Sequence, residues 1–231
     1  MTPPALIFAP KFDSPGRKDA THAFQPEARR YQQVRGGKLV HIDNRRDSGT
    51  RGEAVIDEIA RHADGWWRTI AFFCHGTSRD IQLGFNRRNV AELARAIART
   101  SERDVRVLLY CCSTASTIHA LVGKAVGGDG GFADELRDAL CREGATHCRV
   151  MGHDTVGHSG RNPYVRFFDG AGSPVGGAGG TQVVRPGSKL WSRWREELFT
   201  DFRFHMPHME IGQIHEALTT GFGPPEDDVA A

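Results

Sequence analysis

The chain has 231 residues, 39% hydrophobic and 25% charged, enough apolar content to bury one sizeable core and ordinary for a globular fold in water. A balance of 30 basic against 28 acidic residues leaves no electrostatic footprint for nucleic acid, and Arg45-Arg46 and Arg87-Arg88 read as solvated surface. No run approaches the roughly 20 apolar residues of a bilayer span, Met1 to Ala9 does not read as a secretory leader, and five cysteines without framework spacing fit reduced thiols, so the expected address is the cytoplasm.

Taken in order, Ala5 to Ala9 reads as a short buried strand and Pro10 to Asp19 as the loop leaving it. Pro26 to Val34 is predicted helical and stops at Gly36-Gly37, and Leu39 to Ile42 is a second strand closed by Asp43-Asn44. Glu53 to His62 sets Val55, Ile56 and Ile59 on one helical face. Thr69 to Cys74 is a third strand that delivers His75-Gly76-Thr77. Arg87 to Ala98 places Val90, Leu93, Ala94 and Ile97 at spacings of three and four, and the fourth strand, Val105 to Tyr110, then delivers Cys111-Cys112-Ser113-Thr114-Ala115.

A helix start, the glycine-rich Gly127 to Gly131 and a helix from Phe132 to Arg142 follow. Thr146 to Met151 is a fifth strand with Gly152-His153-Asp154-Thr155-Val156-Gly157-His158 at its tip. Beyond it, Tyr164 to Phe168 and Thr181 to Val184 read as strands around a glycine-rich stretch. Leu190, Trp191, Trp194 and Leu198 then share one helical face, and Ile211, Ile214, His215 and Leu218 another. The expected organisation is one domain over residues 1–223 with a disordered tail at 224–231. Alternating strands and helices predict an α/β three-layer sandwich with a mainly parallel central sheet.

A right-handed crossover between the third and fourth strands makes them parallel neighbours, so His75 and the Cys111-Cys112 pair leave one sheet edge. That edge is where open α/β sheets place their sites. A free thiol, with a pKa near 8.5, needs a nearby base or cation to become a nucleophile. An imidazole in hydrogen-bond reach supplies one, and the pair is a Cys/His dyad. Acyl transfer also needs donors for an oxyanion, a role open to the backbone N–H groups of Gly76 and Cys112.

At Phe72-Phe73-Cys74-His75-Gly76 and Val107-Leu108-Leu109-Tyr110-Cys111-Cys112-Ser113-Thr114-Ala115 the chain resembles the caspase-like cysteine peptidases. That superfamily includes caspases, metacaspases, separase, gingipains and the bacterial CHAT peptidases, and the chain looks most like the CHAT branch. The stretches Gly130 to Leu136 and Gly144 to Val150 are similar to the same branch, and the resemblance spans residues 5–155. It implies a caspase-like fold, with His-Gly at the tip of the third strand and the nucleophilic cysteine at the tip of the fourth. Aligned on Cys-Ser-Thr-Ala, that cysteine is Cys112, as in metacaspases, which carry paired cysteines there and use the second.

The resemblance further implies an endopeptidase acting through Cys112, His75 and a thioester intermediate, with no cofactor and with a protein or peptide substrate. CHAT domains commonly sit beside sensor or repeat modules, so a separate regulatory protein partner is also implied. At the position of Tyr110 metacaspases carry an aspartate that holds a basic substrate residue, and caspases a glutamine beside an acid-binding pocket. Tyr110 is therefore expected to touch substrate, while neither specificity transfers.

The loop after the fifth strand is expected to line the cleft, with His153 and Asp154 as substrate contacts and Asp154 as partner for a basic side chain. His153, Asp154 and His158 also admit a zinc reading, but a five-residue loop is a poor ligand spacing and no metal is expected. Cys74, Cys141 and Cys148 read as core or interfacial thiols. Two readings of another class stand beside the peptidase: a caspase-fold interaction module with a silent dyad, and, less favoured, a metal-dependent hydrolase built on the histidine-rich loop.

Overall fold

Ala5-Leu6-Ile7-Phe8-Ala9-Pro10 has no polar side chain to turn toward water, and all six residues are buried. A strand buried on both faces needs a layer on each side, which is the architecture of a parallel sheet between helices. The computed structural model describes residues 5–12, 24–61, 67–116, 130–153, 165–170 and 181–182. In chain order these form β1 (Ala5–Pro10), α1 (Phe24–Arg35), β2 (Lys38–Ile42), α2 (Ser48–Ala60), β3 (Trp67–Phe73), β4 (Asp80–Ile81) and β5 (Phe85–Asn86). Then come α3 (Val90–Thr100), β6 (Ser101–Tyr110), α4 (Gly131–Arg142), β7 (Arg149–His153), β8 (Val165–Asp169) and β9 (Thr181–Gln182).

The main sheet runs β2-β1-β3-β6-β7-β8-β9, and β4 with β5 makes a separate antiparallel ribbon. Strands β2, β1, β3, β6 and β7 are parallel; β8 and β9 extend the sheet antiparallel. This is an α/β fold with a mainly parallel five-strand centre flanked by helices, consistent with a three-layer sandwich. Side-chain alternation sorts each strand between the layers. Phe72, Val107 and Leu109 join Ile59 of α2, Leu93 and Ile97 of α3 and Leu136 of α4 in one core. The alternate positions Phe73 and Tyr110 pack on the other face, with ring centroids 5.7 and 5.8 Å from Tyr31 of α1.

Local chemistry sets the element ends. Asp47 caps α2 by accepting the Thr50 backbone N–H at 2.9 Å. Helix α3 keeps the apolar face read from its spacing but starts at Val90 rather than Arg87. The reason is Asn89: its side chain accepts the Asn86 N–H at 2.7 Å and donates to the Gly84 carbonyl at 2.9 Å, closing a turn in place of a helical one. The ribbon β4–β5 is too short, at two residues a strand, to leave a period in the sequence.

Strand β7 runs to His153, two residues past its expected end at Met151, so His153 belongs to the sheet rather than to a tip loop. All described residues lie in the first of two compact units, Met1–Val183 and Val184–Ala231. The helices read around Trp191 and Ile211, the tail at 224–231, Gly127, Asp154 and His158 lie outside the described residues. Among the described residues no helix is long and apolar enough to cross a membrane.

Leu93 is fully buried where α3 faces the sheet. Leu93→Ala is expected to cost about 2–5 kcal/mol, read as a lower urea midpoint with an unchanged slope.

Candidate active site

Strands β3 and β6 pair in parallel, with Phe73 opposite Tyr110 as the last step of the ladder. Their rings stack at 4.4 Å with 16° between planes, which keeps the tips together. One residue further out Cys74 stands beside Cys111, with the sulfurs 3.4 Å apart. The next residues out are His75 and Cys112. Phe24, the first residue of α1, meets the His75 ring edge-on at 4.8 Å, so the imidazole lies on the α1 side of the sheet.

The two adjacent cysteines differ sharply in environment. Cys111 is 1% exposed, and its sulfur lies 3.5 Å from the Phe72 carbonyl oxygen. Burial, and then the contact with Cys74, push its thiol well above the ordinary range, so it holds its proton. Cys112 is only half-buried. Of the pair, Cys112 is the one that a reactant can approach.

Cys112 sits on a tight turn, 112–116, in which Ser113 adopts φ 53°, a left-handed conformation uncommon for a residue with a side chain. Within the turn, Ser116 N–H donates to the Ser113 carbonyl at 3.1 Å and Thr114 Oγ1 to the Cys111 carbonyl at 3.1 Å. Outside it, Ala133 N–H of α4 donates to the Thr114 carbonyl at 2.9 Å, and Ala115 N–H donates to the His153 carbonyl at 2.8 Å. Arg166 of β8 adds a side-chain donor, its Nη1 lying 2.6 Å from the Ala115 carbonyl oxygen.

Two glycines let the turn close. A Cβ on Gly76 would stand 2.7 Å from Cys111 Cβ and 2.8 Å from Thr114 Cγ2, and one on Gly152 would stand 2.8 Å from Thr114 Oγ1. Gly76 also bridges Ile81. The ladder bonds there use its neighbours: Thr77 N–H to the Asp80 carbonyl at 2.9 Å and Gln82 N–H to the His75 carbonyl at 2.8 Å. In such a non-hydrogen-bonded pair the central residue's own N–H points away from the ribbon. The Gly76 N–H is thereby not used by the ribbon.

The other expected site residues are placed differently. Tyr110 is 0% and His153 1% exposed, their rings 6.2 Å apart in the layer under α1, so neither presents surface to a substrate. Their packing supports the strand tips instead. Cys141 and Cys148 lie 3.9 Å apart at the C-terminal end of α4, and only Cys148 of the two is buried. Among the described residues no group of three or more His, Cys, Asp or Glu side chains is placed to hold a metal ion. Phe24 and Arg166 escape a sequence reading because each makes a contact with a distant segment, and Ser113 because its feature is a backbone conformation that its residue type does not signal. No protein-family model, curated protein or solved structure matches this chain.

Brief treatment of the native protein with iodoacetamide at neutral pH is expected to modify Cys112, with Cys74 and Cys111 reacting only after unfolding, as mapped by peptide mass. Equal native labelling of Cys111 would refute the assignment. Because its folded pKa is raised, Cys111 contributes stability fully below the ordinary thiol pKa and loses that contribution as pH rises beyond it. Cys111→Ala should therefore flatten the alkaline limb of an unfolding curve measured against pH.

Proposed function

We propose that the chain is a caspase-like cysteine endopeptidase whose nucleophile is Cys112 and whose acid–base residue is His75. The observation that carries this reading is the juxtaposition at the tips of β3 and β6. His75-Gly76 follows the third strand of the parallel sheet, and a half-buried cysteine on a strained turn follows the fourth, the arrangement that the caspase-like pattern requires. The chemistry then runs in two halves. His75 takes the Cys112 proton as the sulfur attacks a peptide carbonyl, and the N–H groups of Gly76 and Cys112 receive the developing oxyanion.

Collapse of the tetrahedral intermediate breaks the C–N bond, and His75 returns its proton to the leaving amine. The product left on the enzyme is a thioester at Cys112. Water, deprotonated by His75, hydrolyses it to a carboxylate and regenerates the thiol. Nothing in this sequence calls for a cofactor. A protein or peptide substrate in the cytoplasm, a regulatory protein partner, and Asp154 as the contact for a basic substrate residue belong to the same proposal.

The test is turnover of a fluorogenic peptide library varied at the residue before the scissile bond. Cys112→Ala should abolish turnover, His75→Ala should lower kcat by roughly 10²–10⁴-fold, and Cys111→Ala should keep most of it. Turnover that survives Cys112→Ala would overturn the reading. A folded wild-type protein that cleaves nothing, alone or with cell extract, would favour the silent interaction module.

A further inference from the structure

The turn that carries Cys112 is held by more than its own bonds, and one of its anchors is a buried charge. Arg166 is 7% exposed, and its guanidinium donates to the Ala115 carbonyl at 2.6 Å. The two neighbouring anchors, Ala133 N–H to Thr114 and Ala115 N–H to His153, are backbone groups that any residue would supply. Arg166 is the anchor that depends on side-chain identity.

Its placement follows from the sheet. Arg166 stands opposite Gly152 in the antiparallel β7–β8 ladder. Gly152 has no side chain, so Thr114 and Ala115 occupy the space above it, where a Cβ would meet Ala115 Cβ at 3.1 Å. A long side chain from the adjacent strand can then reach across to the Ala115 carbonyl. Two residues along the same strand face, the Phe168 ring lies 5.4 Å from the guanidinium carbon and supports it from below.

Burying a guanidinium is unfavourable unless its donors are used, and a shorter apolar side chain would fill a strand-core position more simply. The turn it reaches contains Ser113 in a left-handed conformation, which persists only where surrounding structure over-determines it.

We infer that Arg166 is a positioning residue for the nucleophile: through the Ala115 carbonyl it holds the 112–116 turn in the conformation that presents Cys112 beside His75. This rests on the peptidase reading for its biological meaning, but not for its test. Arg166 acts through the Ala115 carbonyl, three residues along the turn from Cys112. The guanidinium is matched to the task because it stays protonated at any working pH and offers a donor at full reach.

The test reads Cys112 directly, in the full-length chain, by its rate of carbamidomethylation with iodoacetamide at pH 7, with Cys141 as an internal control. Arg166→Met is expected to slow Cys112 labelling roughly 10- to 100-fold while Cys141 labels as before. Arg166→Lys, which keeps a cationic donor, should recover a large part of that loss. General loosening of the core would do the opposite, exposing Cys74, Cys111 and Cys148 and speeding their labelling.

A folded Arg166→Met protein whose Cys112 labels at the wild-type rate overturns the inference. If that variant does not melt cooperatively, Arg166→Gln, which drops charge and reach but stays polar, is read with the same expected and overturning results. In the peptide assay, Arg166→Met should lower kcat with KM nearly unchanged. Absence of wild-type turnover would sink the peptidase reading and leave the labelling result to decide the role of Arg166 by itself.

Discussion

The parallel pairing of β3 with β6 is the constraint on which the rest depends. It sets Phe73 on Tyr110, brings Cys74 against Cys111, and sends His75 and Cys112 out of the same edge within one residue of each other along their strands. A parallel pair requires a crossover, and α3 supplies it by burying Val90, Leu93, Ala94 and Ile97 against the sheet. The common exit of His75 and Cys112 from one sheet edge is thus a consequence of core packing some distance from either.

Beyond the strand tips the chain departs from low-energy backbone. A left-handed non-glycine residue costs on the order of 1–3 kcal/mol, and Ser113 is held there by bonds from α4, β7 and β8 that converge on Thr114 and Ala115. The start of α4 is itself braced. Arg137, 1% exposed, pairs with Asp134 and Asp138, and the Asp134 carboxylate accepts the Gly130 N–H at 3.1 Å. Buried pairs of this kind add little net stability but fix geometry. A rigid frame around a strained turn is what preorganisation of a nucleophile needs.

Burial divides labour among chemically similar groups. Cys111 and Cys112 are neighbours in sequence, yet one packs into the core and keeps its proton while the other stays half-exposed. Tyr110 and His153, both polar and both at strand ends, lie under α1 and act as packing. Of the two adjacent cysteines, only Cys112 keeps exposed surface at the strand tips.

The α/β alternation, the apolar face of α3 and the arrival of His75 and a cysteine pair at successive strand ends were legible in the sequence, because these depend on local periodicity and on the hand of crossovers. Local pattern also marked β1 and the 70–73 half of β3 as continuous apolar runs, as strands buried on both faces read. What tertiary structure alone decided was register and depth. The step that places Cys74 against Cys111, the extension of β7 that draws His153 into the sheet, the ribbon that turns the Gly76 N–H outward and the reach of Arg166 to Ala115 each join segments far apart in the chain. Periodicity reports which face of an element is apolar. It carries no information about which distant residue that face will meet, and here those meetings distinguish an approachable thiol from a core one.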